Sequence, residues 1–296
     1  MYVLICNRNA GNSSALQKLE VVKRQLDGRK IAYHALISDS ANATALFLQQ
    51  FVASCKAVVI IGGDGTLHSV LQICVPSQVP IAFLPSGSGN DSARNLGITE
   101  DPLLFVERLL LHNEVQLDAL SVNGIYGLTV AGFGLDASIG ERAETARYKS
   151  FFNKIGLGSL TYSVAAVLDL MTFQPYSSKL IVDGKGYEFP VTWLMSCGNM
   201  KYYGGGLEIC PKADPLDGKM NLTVLHGASR WRILFSLFPA LLRGGIIEAK
   251  EVMYASGKEV RIVANRKLPL VVDGEIYWKS EASIQIVPSI ISFLTT

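Results

Sequence analysis

Unbroken apolar runs and helical repeats alternate along the first hundred residues. Val3-Leu4-Ile5-Cys6, Ala57-Val58-Val59-Ile60-Ile61 and Ile81 to Leu84 are continuous apolar segments, the mark of strands covered on both faces. After Ser13 or Ser14, either of which can cap a helix, Leu16, Leu19, Val22 and Leu26 recur at helical spacing, with Gly28 as the stop. Ile31 to Ile37 reads as a strand and Ala41 to Ser54 as a helix. Another helix is predicted from Thr66 to about Cys74, and a further one after Asp91. Strand, glycine-bearing turn and helix in repetition predict a doubly wound parallel sheet, with its ligand crevice at the carboxyl ends of the strands.

Near Gln116 the pattern changes. Leu117 to Val122 and Ile125 to Val130 flank Asn123-Gly124, and Leu180 to Asp183 and Tyr187 to Leu194 flank Gly184, so hairpins are predicted. Short strands follow at Met220 to Leu225, Val260 to Val263, Leu270 to Val272 and Ile284 to Val287. Two helical insertions interrupt them, near Ser159 to Thr172 and near Arg230 to Arg243. The fold class expected is therefore α/β followed by β, with a boundary near residue 118. With no linker or repeat in the chain, the two domains are expected to pack closely and share a cleft.

Composition narrows the function classes. Half the chain is apolar and the formal charge is only +2, which supports a real core and gives no argument for nucleic acid. Cys6, Cys55, Cys74, Cys197 and Cys210 are dispersed, with no CxxC pair, and read as reduced thiols of a cytoplasmic protein. The apolar stretch Trp231 to Leu242 carries Arg232 and Pro239 and falls short of a membrane span. Mean hydropathy is nonetheless positive, +0.28, which suggests that something apolar is handled at the surface.

The chemistry sits in the loops. Gly62-Gly63-Asp64-Gly65-Thr66 and Pro85-Ser86-Gly87-Ser88-Gly89-Asn90-Asp91 each follow a buried strand, and Asn7 to Asn12, including Gly11, follows the first. Glycines bring backbone N–H groups close to phosphate oxygens, and the next helix N-terminus favours negative charge. A polyphosphate carrying Mg²⁺ also needs a carboxylate, which Asp64 is placed to supply directly or through water. The plain alternative is a tight turn with Asp64 solvated or capping. Neither a dinucleotide fingerprint nor a P-loop is present.

These loops, with Val272-Asp273-Gly274-Glu275, Asp118, Gly132 to Ala137, Gly204-Gly205-Gly206 and Asp214-Pro215-Leu216-Asp217-Gly218, resemble the diacylglycerol kinase and sphingosine kinase family of lipid kinases, in particular its small bacterial members. The resemblance covers nearly the whole chain. It implies a nucleotide-binding domain over residues 1–118, rejoined by residues 288–296, a β-sandwich substrate domain over 119–287, and an ATP site in the cleft between them. It implies ATP and Mg²⁺ as cofactors and a lipid hydroxyl as acceptor, with diacylglycerol foremost. By match to the family motifs, Asn7, Gly62, Gly63, Asp64, Gly65 and Thr66 line the phosphates, joined by Gly87, Ser88 and Asn90. Asp64 and Glu275 are the candidate catalytic acids; the sequence leaves open which is the base and which organises the metal, and Asp64 for Mg²⁺–ATP with Glu275 as base is the favoured order. Asp118, Asp136 and Asp273 are candidates for orienting the acceptor or supporting an acidic network, with Asp118 and Asp136 at strand ends. Asp217 matches a second, structural Mg²⁺ position. Plain turns are the alternative for Asp118, Asp136, Asp217 and the Asp273-Gly274-Glu275 segment.

The sequence departs from the family pattern at Arg8, where proline is usual, and at His68-Ser69, where a polar residue and glutamate are usual. Trp231 to Phe238, with Arg230, Arg232 and Arg243 at its ends, fits either a membrane-interface helix or a core helix. Arg147, Tyr148, Lys149, Phe151, Phe152 and Lys154 form a second basic-aromatic stretch. Either segment could instead be a dimer contact. The expected setting is cytoplasmic with peripheral membrane association. The rival readings are an NAD kinase, which shares GGDGT, and a non-catalytic lipid- or nucleotide-binding regulator.

Overall fold

The computed structural model describes residues 1–145 and 160–295, side chains excepted at 12, 13, 143–145 and 160–163. The basic-aromatic stretch from Arg147 to Lys154 lies outside the described residues. The chain divides into two compact units, Met1–Ala119 with Pro288–Thr296, and Leu120–Val287.

In the first unit, β1 (Tyr2–Cys6) lies between β2 (Tyr33–Ile37) and β3 (Ala57–Gly62), and β3 lies beside β4 (Ile81–Pro85), all parallel. The apolar runs are buried along their whole length in β1, β3 and β4. β2 is half exposed because it is the edge strand and carries His34. One core cluster joins Tyr2, Leu4 and Cys6 of β1, Ala57, Val59 and Ile61 of β3 and Ala82 and Leu84 of β4 to Leu19, Val22 and Leu26 of α1 (Ser14–Gly28) and Phe105 and Leu109 of α5 (Pro102–Leu111). α1 is entered through a 3-10 turn, Ala10–Ser13, rather than a simple serine cap. Two helices complete the repeat, α2 (Ala41–Phe51), capped by Ser40, and α3 (Asp64–Ser77). The helix expected after Asp91 is two: α4 (Asp91–Leu96) stops at Gly97 in the left-handed region, and Asp101 caps α5 with its carboxylate. β15 (Glu275–Leu294) ends beside β4, with Phe293 opposite Ile81.

The second unit is antiparallel. β5 (Glu114–Val122) and β6 (Ile125–Gly127) form a hairpin over Asn123-Gly124, both with positive φ, the type I′ geometry. The expected continuous strand to Val130 is broken: the N–H groups of Leu128 and Thr129 donate to the Asp273 carboxylate, and β7 (Val130–Gly134) begins afterwards. β8 (Tyr176–Val182) turns through Asp183-Gly184 into β9 (Lys185–Gly198). β14 (Glu259–Val272) is one long strand, where two short ones were expected, because a bulge between Val263 and Leu268 absorbs the polar interruption. β9 pairs with β8, β7 and β12 (Met220–His226), β12 also pairs with β13 (Val252–Gly257), β10 (Tyr202–Tyr203) and β11 (Leu207–Glu208) form a short pair of their own, and β14 pairs with β8, β7 and β15. Long strands that change partners enclose a core of Phe133, Leu180, Met195, Leu222, Ile262 and Ile284, among others. α6 (Leu135–Thr145) follows β7, α7 (Leu160–Thr172) precedes β8, and a helical segment 230–243 follows β12.

Candidate functional site

Three loops meet at the carboxyl ends of β1, β3 and β4. Asn7 donates its side-chain amide to Thr66 Oγ1 at 3.2 Å, tying the first loop to the start of α3. Its own carbonyl oxygen accepts the Asn9 N–H at 3.0 Å, holding the turn that Arg8 occupies. The backbone N–H of Ser86 donates to the Gly62 carbonyl at 2.7 Å, which extends the β3–β4 pairing into the two glycine loops. There the backbones touch: a Cβ on Gly87 would stand 2.7 Å from the Gly63 Cα, closer than any side chain permits. Gly11, at φ +57, has no room for a Cβ because the Ser86 carbonyl is against it. The glycines are therefore fixed by packing between loops as well as by turn geometry.

Asp64 opens α3, and its carboxylate is already engaged. Oδ2 accepts the Asp91 N–H at 3.0 Å and Oδ1 accepts the Ser92 N–H at 3.1 Å, so it caps α4 from another loop. Asn90, left-handed at φ 51, accepts the Gly87 N–H at 2.9 Å with its side-chain oxygen. The same residue points its amide at Glu100 Oε1, 3.5 Å away. A polar hollow of about 600 Å³ lies here, bordered by Gly87, Ser88, Asn90, Arg94, Ile98 and Glu100. Arg94 and Glu100 were not legible as site residues, since neither belongs to a motif. Lys18 of α1 donates to the Pro85 carbonyl at 2.5 Å, and burial lowers its pKa.

The remaining acids fall into different roles. Asp118 is buried in the middle of β5 and in the first unit, not at a strand end, and accepts the N–H of Ser289 at 2.8 Å. Ser289 has φ 51, so the carboxylate braces a strained kink in β15. Asp273 and Gly274, at φ 50 and +100, form the hairpin turn between β14 and β15. The Asp273 carboxylate accepts from Leu128 N, Thr129 N and Thr129 Oγ1 at 2.7 to 2.8 Å. Glu275, the first residue of β15, is exposed and its side chain makes no hydrogen bond or ion pair among the described residues. Asp136 sits in the first turn of α6, buried, with Ser196 donating to it at 2.6 Å and Ala137 N at 2.9 Å. Burial pushes its pKa up to about 6 despite those hydrogen bonds.

Asp136 also borders an apolar cavity of about 100 Å³ within the second unit. Its walls come from α6 and α7, β-strand residues such as Leu194 and Leu225, and Ile233, Leu237 and Leu241 of segment 230–243. A cavity with this lining suits an apolar molecule or group. The two helical insertions legible in the sequence are its roof, but the cavity was not, because its lining residues look like any core.

Asp217 stands in an exposed turn, where Oδ1 accepts the Lys219 N–H at 2.9 Å. Among the described residues no group of three or more His, Cys, Asp or Glu is arranged to hold a metal. His68 is a buried residue of α3, and the Ser69 hydroxyl bonds back to the Gly65 carbonyl at 3.0 Å. Burial raises the pKa of Cys6 to about 11 and of Cys74 and Cys210 to about 12, so these thiols are unreactive packing groups. No described helix is long and apolar enough to cross a membrane.

Comparison with known proteins agrees with this layout. Residues 1–122 match the diacylglycerol kinase catalytic domain, and residues 129–295 match the YegS C-terminal NAD kinase beta sandwich-like domain. A diacylglycerol kinase of Mycobacterium tuberculosis is 27% identical over 98% of this chain and 93% of its own length. Two crystal structures from Bacillus anthracis str. Sterne, one of them described as a diacylglycerol kinase, share the fold. Their TM-scores are 0.82 and 0.76 at 20% and 18% identity, covering 100% of this chain and 97% and 96% of theirs. The chain belongs to the family in which a diacylglycerol kinase catalytic domain is joined to a YegS-type, NAD kinase beta sandwich-like C-terminal domain.

Proposed function

We propose that this protein is an ATP- and Mg²⁺-dependent lipid kinase that phosphorylates diacylglycerol to phosphatidic acid. The observation that carries the lipid reading is the apolar cavity bordered by Asp136. A pocket whose lining is mostly aliphatic, with Asp136, Tyr203, Glu208, Thr223 and Tyr254 as its polar-bearing members, offers a segment of an acyl chain an apolar wall, and offers a soluble dinucleotide few hydrogen-bond partners. Residues 1–118 with 288–296 are assigned to the nucleotide and 119–287 to the acceptor.

Phosphoryl transfer asks a protein mainly to position the groups and neutralise phosphate charge. The backbone of Asn7, Gly11, Gly62, Gly63, Gly65, Thr66, Gly87 and Ser88, with the N-terminus of α3, is assigned to the ATP phosphates, and Asn90 holds the second loop in shape. Asp64 caps α4 with one N–H on each oxygen, leaving a lone pair on each that fits a metal-bound water. Mg²⁺ commonly takes only one or two protein carboxylates and keeps waters and phosphates as its other ligands. When bound it would neutralise charge on the β- and γ-phosphates. Asp217, the candidate for a second, structural Mg²⁺, presents its carboxylate in an exposed turn, where it would serve as one ligand among waters. Glu275, exposed and unpaired, is assigned as the base. It takes the proton of the acceptor hydroxyl as that oxygen bonds to the γ-phosphorus and ADP departs. Asp118 and Asp273 are positioning residues, each holding backbone N–H groups.

Transfer of labelled γ-phosphate to a panel of diacylglycerol, sphingoid bases and NAD tests this. Label in diacylglycerol is the expected result. Label in NAD alone would assign the chain to the soluble-nucleotide kinases, and ATP binding with no transfer to any acceptor would make it a regulator.

A further inference from the structure

The segment 230–243 is apolar on two opposite sides. Ile233 and Leu237 are buried and, with Leu234 and Leu241, wall the apolar cavity. On the other side Trp231 and Phe235 are 60% and 73% exposed, and their rings stack at 5.8 Å with an interplanar angle of 11°. Leu242 and Ile246 add to the exposed apolar surface. The segment begins as an α-helix at Arg230–Arg232, passes through a π turn at Ile233–Leu237, and resumes as α over Phe238–Arg243. Val167 of α7 borders the same cavity and is partly exposed, so the cavity opens toward solvent beside this segment.

The charges around the outer face carry a small excess of cations, with Glu251 paired to Arg232. Arg232, Arg243 and Lys250 are exposed cations, against Glu248 as the exposed acid in the same stretch. Arg232 stays at the surface, with Ser236 at 3.2 Å and Glu251 at 3.7 Å. Arg230 is different: it turns inward and donates to the carbonyls of Leu170 and Phe173, pinning the start of the segment to the end of α7.

We propose that the outer face of 230–243 docks on an anionic phospholipid bilayer, and that the acceptor's acyl chain passes from there into the cavity behind it. Two features favour a bilayer over a protein partner. A Trp–Phe pair with arginines at its margin matches the layered chemistry of a membrane interface, apolar inside and anionic outside. The element that bears it is also the wall of the apolar cavity, so the docking face and the lipid route are continuous. The delivery step rests on the lipid-kinase reading above; the docking step does not.

The test uses the full chain with vesicles of phosphatidylcholine, with and without phosphatidylglycerol, and no ATP. In a Trp278→Phe background, Trp231 fluorescence should shift to the blue on anionic vesicles, while Trp193 is already buried. Trp231→Ser with Phe235→Ser should weaken vesicle binding by at least about tenfold, and Arg243→Gln should reduce the dependence on phosphatidylglycerol. On diacylglycerol embedded in vesicles the double variant should lose about tenfold in kcat/KM, yet match wild type on water-soluble dihexanoylglycerol. Vesicle binding unchanged by the double variant would overturn the proposal. So would a wild-type dimer, by sedimentation, that the double variant converts to monomer, because the face would then belong to a second copy. A wild type that binds vesicles but phosphorylates no glycerolipid would leave docking standing and defeat the kinase reading instead.

Discussion

The carboxylate of Asp64 accepts the backbone N–H of Ser92 at 3.1 Å, across 28 residues of sequence. With the Asp91 N–H on its other oxygen, the acid of the first glycine loop fixes the helix that follows the second. Asp64 thus has a structural task apart from any metal. Asp64→Ala should cost about 1–2 kcal/mol in denaturant unfolding, the usual loss for a charged cap. Asp64→Asn, which keeps one acceptor, should cost less. Phosphoryl transfer should fall by about a hundredfold or more in both, which separates capping from charge.

The near contact of Gly63 and Gly87 makes a second prediction. Gly87→Ala would place a Cβ 2.7 Å from the Gly63 Cα and 2.9 Å from the Asn90 side-chain oxygen. The two loops must then separate, and ATP affinity should drop by roughly tenfold or more while overall unfolding changes little. Isothermal titration with an ATP analogue and a denaturation curve on the same sample measure both.

Asp273 and Glu275 should separate in the same way. Asp273→Ala strips the acceptor from two buried backbone N–H groups and the Thr129 hydroxyl and should destabilise the β unit by about 3 kcal/mol. Glu275→Gln, at an exposed side chain, should leave the unfolding midpoint in place and lower kcat by about a hundredfold.

Asp136 gives the fold a dependence on pH. Its pKa stands near 6 when folded against 3.8 for the free group, burial being the main cause. The folded state therefore binds more protons between those values, and this group's contribution to stability is greatest below pH 4 and lost as pH rises through 6. The size is on the order of 2–3 kcal/mol. Asp136→Asn should flatten this part of the profile and leave the variant more stable relative to wild type at pH 8 than at pH 4.

Much of this was legible in the sequence where a residue's type fixes its local geometry. The buried runs of β1, β3 and β4 needed no partner to be recognised, and Asn123-Gly124 announced its turn. The loops at Asn7, Gly62 and Gly87 were placed together by topology alone. What the sequence withheld depends on distant contacts. Nothing local tells that Leu128 and Thr129 give their N–H groups to Asp273, so the strand after Ile125 was read as continuous. Asp118 was read at a strand end, as an acceptor-orienting acid or else a turn residue, because its partner, Ser289, lies 171 positions away. The apolar cavity is built from leucines and isoleucines that, one by one, are indistinguishable from core.

The most direct test of the account is transfer of labelled γ-phosphate from ATP with Mg²⁺ to dioctanoylglycerol by purified wild type and by Asp64→Asn. Labelled phosphatidic acid from the wild type, reduced by about a hundredfold in a variant that remains folded, is the result predicted. An undiminished signal from Asp64→Asn, or a wild type that labels no lipid, would contradict it.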